Sequence, residues 1–339
     1  MMRRILRGSL ASLGLLLLIL DAKTALFGAS EGITLCLQSV IPSLFPFFVL
    51  SILLVDSLTG LSIPILRPIG KICRIPSGAE PLLAVGMIGG YPVGAQSISH
   101  AYQKGQLSEK TARRMLGFCS NAGPAFLFGM IAAKFPKLWM AWALWGIQIL
   151  SALLVGILIP GKPERGIHIN ANKQCSVADA LKKSVTVMAE VCGWIVLFRV
   201  ILSFLSRWFL WLLPEWFQVA ITGVLELANG CCELDRIENI GLRFIVCSGI
   251  LSFGGVCVTM QTSSVIDGLG MGWYLPGKLM QGLISTVLAA ILQMLILPVG
   301  ENTYIAPIYL FFMTIVLIIY WILMNKLEKN SSIPAPVGV

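Results

Sequence analysis

Histidine and charged side chains are scarce in this sequence. It contains two histidines, His100 and His168, and 12% charged residues, whereas ordinary globular domains carry about 25%. The histidines do not have the spacing of metal ligands, and no C-x-x-C, H-E-x-x-H, G-x-S-x-G, P-loop or G-x-G-x-x-G pattern occurs. The sequence therefore predicts no metal centre and no cofactor site. It also supplies no nucleophile–base set, so an enzyme is not expected.

Apolar residues are abundant instead. They make up 57% of the chain, and the mean hydropathy of +0.85 places the protein in the membrane class. The net charge of +9 does not indicate nucleic-acid binding, because the basic residues lie in short segments between apolar runs. Several apolar segments approach the roughly 20 residues that cross a bilayer. They lie at about 5–20, 33–55, 81–100, 115–133, 138–160, 184–205, 216–232, 242–266, 276–298 and 303–324.

These segments predict an all-α polytopic membrane protein with two inverted-topology repeats, each with a re-entrant hairpin, and about eight full spans besides. The basic, apolar N-terminus lacks the small-residue cleavage pattern of a signal peptide, which favours an uncleaved helix. The predicted units are an N-terminal transmembrane helix (1–26), a first repeat (27–160), a cytoplasmic linker (161–183), a second repeat (184–300), a C-terminal transmembrane helix (301–325) and a disordered tail (326–339).

Glycine and proline interrupt one apolar run. The stretch Gly86–Ala95 reads GMIGGYPVGA, a poor composition for a helix at membrane depth. Gly90 and Gly94 allow a tight turn and close backbone approach, Pro92 blocks helix continuation, and Tyr91 adds a hydroxyl and a ring face. We predict a re-entrant hairpin here. The alternative is a helix–helix packing surface, because glycines recur in this stretch at four-residue spacing.

Comparable interruptions recur along the chain. Ser120–Pro124 reads SNAGP, where Asn121 either hydrogen-bonds a polar ligand or helps to cap a loop between helices. Roughly 130 to 140 residues beyond the first pair of interruptions, Glu226–Cys231 reads ELANGC and Leu251–Ser264 reads LSFGGVCVTMQTSS. We interpret the two pairs as a degenerate internal repeat, with chance similarity of apolar segments as the alternative.

Glu226 is an isolated carboxylate, separated by ten uncharged residues from the preceding charge at Glu215. An ionisable group inside a span costs about 2.5 kcal/mol or more, so it is a candidate functional residue. We expect Glu226, with Asn229 three residues on and on the same helical face, to bind a proton, Na⁺ or a substrate hydrogen-bond donor. The alternatives are a carboxylate that reaches the outer interface, or one that pairs with Arg199.

The last interruption, Leu251–Ser264, contains further candidate substrate-binding residues. Ser252 and Gly254 mark the break, and Gln261 belongs to an unusually polar run behind it. Such a run either faces a water path or hydrogen-bonds to neighbouring helices.

The basic residues predict how the chain lies in the membrane. If 81–100 and 216–232 return to the sides from which they enter, 18 of the 25 Lys and Arg residues, Lys278 among them, lie inside, and Arg199 lies within a span. Membrane proteins carry an excess of Lys and Arg on the cytoplasmic side, so this arrangement fits the rule. The two repeats are then inverted and both termini are cytoplasmic. The six basic residues outside are Lys23, Lys134, Lys137, Arg207, Arg236 and Arg243.

Several of these motifs resemble a known family. GGYPVGA, QKGQLSEKTARRML and FCSNAGPAF are similar to the sporulation integral membrane proteins of the YlbJ type, within the wider Gate, or nucleoside-recognition, membrane family. ELANG followed by SFGG resembles that family's second Gate repeat. The resemblance covers roughly residues 27–300, and the short central linker departs from it. It implies an inner-membrane protein, with nucleoside transporters among its relatives and a sporulation branch thought to move dipicolinate. The implied site residues are Gly90, Tyr91, Pro92, Gly94, Ser120, Asn121, Glu226, Asn229 and Gly230.

The predicted function is transport of a small polar organic solute, an organic anion such as dipicolinate or a nucleoside, in the cell membrane. Paired broken segments in inverted repeats are typical of secondary transporters, and their solute binds where the breaks meet. The predicted partners are the lipid bilayer and the solute, with no nucleic acid; Na⁺ or H⁺ as coupling ion and a homo-oligomer are left open. The alternative is a non-transporting assembly or signalling partner in spore envelope maturation.

Overall fold

The structure is a computed structural model that describes residues 2–58, 63–161, 175–266 and 268–296. These residues form helices, and no strand occurs among them. The predicted C-terminal transmembrane helix (301–325), the predicted tail (326–339) and most of the predicted linker lie outside the described residues. The α-helices are α1 (Met2–Leu20), α2 (Ala22–Leu35), α3 (Ile41–Leu58), α4 (Arg67–Ile72), α5 (Glu80–Ile88), α6 (Val93–Gln103), α7 (Glu109–Met115), α8 (Pro124–Phe126), α9 (Leu138–Leu158), α10 (Val177–Trp208), α11 (Glu215–Leu225), α12 (Leu227–Cys232), α13 (Ile240–Phe253), α14 (Gly255–Val265) and α15 (Tyr274–Ile296).

Two predicted boundaries need correction. Helix α10 begins at Val177, because the Ser176 hydroxyl accepts a hydrogen bond from the Asp179 N–H at 3.1 Å and caps the first turn. The predicted linker (161–183) is therefore helical in its last residues. The first helix ends at Leu20, before residue 26, because Asp21 caps the next helix at once.

Five helices of the described ranges are long and apolar enough to cross a membrane. In the first of them, a π-helical turn at Cys36–Val40 joins α2 and α3 into one stretch of 37 residues. The chain is thus a multi-pass helical membrane protein, and the count of about eight full spans stays a prediction. The five stretches are Ala22–Leu58, Leu138–Leu158, Val177–Trp208, Ile240–Val265 and Tyr274–Leu295.

The joined helices α2 and α3 lie antiparallel along α10. Arg207 pairs with Asp21 at 3.3 Å, near the start of α2, and Arg199 pairs with Glu31 at 3.7 Å, further along α2. At the end of α3, the Asp56 carboxylate accepts a hydrogen bond from the backbone N–H of Cys175 at 2.6 Å. The ion pair of Arg199 with Glu226, which the sequence leaves open as an alternative, does not form. The partners of Arg199 are Glu31 and, at 3.4 Å, Glu233.

The chain reverses direction at Gly90–Pro92, as the glycine-rich stretch predicts. Helices α5 and α6 pack against each other as the two arms of a hairpin, and Gly90 has a φ of +81°, which favours glycine. A Cβ on Gly86 or Gly94 would collide with the backbone carbonyl of Cys119. Hairpin and close packing, posed as alternatives, are thus both present, because the glycines let the hairpin lie directly on the 117–123 segment.

A second hairpin consists of α11 and α12. Helix α11 ends at Leu225, Glu226 has an extended backbone, and α12 begins at Leu227. The predicted site residue Gly230 lies at the contact between the arms, since a Cβ there would collide with the backbone of Gly223. The role that the structure gives Gly230 is close packing of this hairpin.

Each hairpin is followed by an interrupted helix. After α7, the chain is non-helical from Leu116 to Gly123 and becomes helical again with α8 at Pro124. After α13, Gly254 adopts a left-handed φ of +85° and separates α13 from α14. Both interruptions fall where the motifs SNAGP and SFGG predict them.

Candidate functional site

The tips of the two hairpins and the interrupted helices enclose a cavity. The empty space is about 440 Å³ when the part open to solvent is counted, and the centres of water-sized molecules can occupy about 40 Å³ of it. The first hairpin contributes Gly90 and Tyr91, the second contributes Glu226, and α14 contributes Gln261. The remaining wall is mostly apolar. Its residues are Val40, Leu44, Ala122, Gly123, Phe126, Val191, Ile195, Leu227, Ala228 and Val258.

Glu226 is buried on this wall and caps α12. Its carboxylate accepts hydrogen bonds from the backbone N–H of Ala228 at 3.1 Å and of Asn229 at 2.6 Å. The side-chain amide of Asn229 donates a third, at 2.7 Å. Three N–H donors hold the carboxylate in place, so it is a fixed acceptor on the wall of a mostly apolar cavity. Glu226 and Asn229 thus contact each other through a helix cap and not through a shared helix face.

Tyr91 forms the opposite part of the wall. Its hydroxyl lies 3.4 Å from the carbonyl oxygens of Leu251 and Ser252, in the last turn of α13. Its ring packs on Gly254, where a Cβ would lie 3.0 Å from the phenol. The break in α13–α14 therefore makes room for Tyr91, and Ser252 and Gly254 act by receiving this side chain.

A buried polar cluster lies behind Tyr91. The Lys278 ammonium group donates hydrogen bonds to the Tyr91 hydroxyl at 3.2 Å, to Asn121 Oδ1 at 3.1 Å and to Gln281 Oε1 at 2.6 Å. The Gln281 amide also donates to Asn121 Oδ1, at 2.7 Å. Gln148 joins the cluster, because its backbone carbonyl accepts from Gln281 and its amide donates to the Ala122 carbonyl.

The placement of Lys278 corrects the charge assignment. The topology argument counts it with the cytoplasmic basic residues, but it is 0% exposed in α15. A signal was present in the sequence, since Lys278 is the only charged residue between Asp267 and Glu301. The reasoning that selects Glu226 as an isolated charge in an apolar run selects Lys278 equally well.

The other predicted site residues support the site without lining it. Asn121 binds protein groups on all sides, because its amide donates to the carbonyls of Gly86 at 3.2 Å and Phe118 at 2.9 Å. Pro92 follows Tyr91 in the hairpin turn, with a cis bond between them. The Ser252 hydroxyl donates to Ser285 at 2.7 Å. Within the described part of the chain, the buried Ser120 hydroxyl has no hydrogen-bond partner.

The site suits hydrogen bonding in a confined apolar space and does not suit metal chemistry. No group of three or more His, Cys, Asp or Glu side chains among the described residues could hold a metal ion. The cavity instead combines an aromatic face at Tyr91, a fixed acceptor at Glu226 and an amide at Gln261. Concave, mostly apolar sites with a few placed polar groups are typical of small-molecule binding.

Comparison with known proteins identifies a relative of this chain by sequence. The chain is 26% identical to the sporulation integral membrane protein YlbJ of Bacillus subtilis (strain 168), in an alignment that covers 81% of this chain and 79% of the relative. This similarity supports the assignment of the chain to the YlbJ type. No family model matches the chain, and no solved structure matches it. The YlbJ-type assignment that the motifs predict is thus confirmed, whereas the Gate assignment stays a prediction.

Proposed function

We propose that this YlbJ-type protein transports a small polar organic solute, which binds in the cavity between the two hairpin tips. The observation that carries the proposal is that the chain's interruptions converge on this cavity. Backbone at Gly90, at Gly123 and at Glu226 borders it, and all three lie at interruptions of helices. Irregular backbone at membrane depth is tolerated where protein buries it or where it lines a wet cavity.

The order of the elements supports two inverted repeats. In each half a long helix is followed by a hairpin, an interrupted helix and one more long helix. The first half runs through α2–α3, the α5–α6 hairpin, α7–α8 and α9. The second half runs through α10, the α11–α12 hairpin, α13–α14 and α15. Such repeats place a solute near the middle of the membrane and allow access from alternate sides.

The polar groups favour one of the two predicted solute classes. A dicarboxylate such as dipicolinate would meet the Glu226 carboxylate, and the N–H groups at the start of α12 are already taken up by that carboxylate. A nucleoside carries hydroxyl groups that Glu226 can accept from and a base that can stack on Tyr91. We therefore assign the cavity to a neutral, hydroxyl-bearing aromatic solute of the nucleoside class, and we assign the chain no catalytic activity.

Flux through proteoliposomes tests this function. The purified protein should exchange labelled uridine or adenosine faster than empty liposomes, and labelled dipicolinate more slowly than either nucleoside. Glu226→Gln should reduce nucleoside exchange at least tenfold, because an acceptor on the wall is replaced by an amide. Val258→Trp should reduce it by filling the cavity, whereas Glu109→Gln, at an exposed ion pair, should leave it unchanged.

The outcomes separate the alternatives. Faster exchange of dipicolinate than of nucleosides would keep the transporter and reverse the solute class. A folded protein that exchanges neither class would favour the assembly or signalling partner in the spore envelope. A role in sporulation rests on the name of the relative. It predicts that deletion of the gene in an endospore-forming host lowers the yield of heat-resistant spores.

A further inference from the structure

Lys278 is a buried cation whose partners are all neutral. Its side chain is 0% exposed, and its hydrogen-bond acceptors are a phenol and two side-chain amides. Among residues 2–58, 63–161, 175–266 and 268–296, no carboxylate lies within ion-pair distance of it. A buried charge without an opposite charge is costly and marks a functional candidate.

The geometry satisfies both protonation states of this amine. An ammonium group has three donors, and three acceptors stand at 3.2, 3.1 and 2.6 Å. A neutral amine has two donors and one lone pair. Asn121 and Gln281 can accept the two donors, and the Tyr91 hydroxyl can turn to donate to the lone pair. No buried group of this trio loses its partner in either state.

Tyr91 carries the difference between the two states to the cavity. When Lys278 is charged, it donates to the Tyr91 oxygen, and the Tyr91 proton points to the carbonyl of Leu251 or Ser252 at 3.4 Å. When Lys278 is neutral, the Tyr91 proton turns to the amine, and the bond to α13 is released. The first hairpin tip is therefore tied to the α13–α14 break only in the charged state.

We infer that Lys278 binds the proton that is coupled to solute movement, and that Tyr91 transmits its charge state to the cavity wall. The coupling rests on the proposed transport function, whereas proton binding does not. In the binding step the amine lone pair forms an N–H bond with a proton from hydronium, whose O–H bond breaks to leave water, and the Tyr91 O–H turns from Lys278 to the α13 carbonyls. No other covalent bond forms or breaks.

The titratable groups around Lys278 do not compete with its amine for this proton. The titratable side chains around it are Tyr91 on the hairpin, Cys119 before the first interruption and Tyr274 on its own helix. In the described part of the chain, the polar side chains that α9 and α13 bring to this region are uncharged. Gln148 bonds to the Ala122 carbonyl, and Ser248 and Ser252 bond to Ser285 on α15. Phenols and thiols are proton donors at neutral pH and do not compete as a carboxylate would.

Thermal unfolding in detergent tests proton binding without any solute. The difference in Tm between the wild type and Lys278→Met should change by several degrees between about pH 6 and 9, because an ordinary lysine in the unfolded chain keeps its proton throughout this range. Lys110→Met, at an exposed position in α7, should differ from the wild type by a constant amount. A constant difference for Lys278→Met as well would overturn the inference.

A second variant and the flux assay complete the test. Lys278→Arg keeps a permanent charge, so its Tm difference from the wild type should change with pH as that of Lys278→Met does. This variant replaces Lys278→Met in the test if the methionine variant does not fold. A pH-dependent Tm difference together with no flux would refute the proposed function and leave the proton site standing. Flux together with pH-independent differences for both variants would refute the proton site and leave the transporter standing.

Discussion

Lys278 and Asn121 are 157 residues apart in the chain and meet at 3.1 Å inside the protein. The contact joins the SNAGP interruption in the first half of the chain to α15 in the second half. Gln281, one turn further along α15, donates to the same Asn121 oxygen at 2.7 Å. One side-chain amide thus ties the two halves together next to the cavity.

Asn121→Ala should destabilise the protein by about 3 kcal/mol, because Lys278 and Gln281 both lose a buried acceptor and the charged donor suffers most. Asn239→Ala is the control. Asn239 is an exposed helix cap whose Oδ1 accepts a hydrogen bond from Leu242 N–H at 2.9 Å, so its loss should destabilise the protein by about 1 kcal/mol. Unfolding midpoints in detergent measure both. Equal losses for the two variants would show that the cluster does not hold the halves together.

The sequence predicts the interruptions well because their causes are local. Gly90 and Pro92 make a hairpin turn, and Gly254 ends α13 through a left-handed backbone conformation, whatever surrounds them. Glu226 stands out because a lone carboxylate in an apolar run is costly wherever it lies. These residues line or support the cavity in the structure.

The partners of these residues are not predictable in the same way. Arg199 pairs with Glu31 and Glu233 because α2 lies antiparallel on α10, and periodicity gives a helix face without naming its neighbour. The charge count places Lys278 with the cytoplasmic basic residues because it treats each basic residue as a topology signal. Its role depends on residues from three distant segments, which only the fold brings together.

Gly86→Ala and Gly94→Ala should each destabilise the protein by about 2–3 kcal/mol or more, because the added methyl group would collide with the rigid backbone carbonyl of Cys119. Gly146→Ala, in α9, is the matched control, since no atom lies within 4 Å of the added Cβ. It should be neutral or gain up to about 1 kcal/mol from helix propensity. Unfolding midpoints of the three variants decide. Tolerance of alanine at Gly86 and Gly94 would contradict the close packing of the hairpin on the 117–123 segment.

Arg114→Met should cost about 3 kcal/mol, because the buried guanidinium group satisfies helix-end carbonyls that would otherwise lack donors. It donates to the carbonyls of Cys73 at 2.7 Å, Gly156 at 2.6 Å and Ile159 at 3.2 Å. Arg113→Met is the neighbouring control. Its side chain is 45% exposed and donates to a single carbonyl, so the loss should be near 1 kcal/mol. A similar midpoint for both variants would mean that Arg114 does not fasten α4 and α9 together.

Single cysteines at Gln103 and Asn239 test the inverted arrangement, in a background from which the nine native cysteines are removed. Both positions are exposed, one at the open end of each hairpin region. If the first hairpin opens to the cytoplasm and the second to the outside, a membrane-impermeant maleimide added to intact cells should label Asn239→Cys. Gln103→Cys should react only after the cells are opened. Labelling of both from one side would remove the inversion, because each half would then enter the membrane from the same face. It would also leave the excess of basic residues around Gln103, with Lys104, Lys110 and Arg113 close by, without a topological cause.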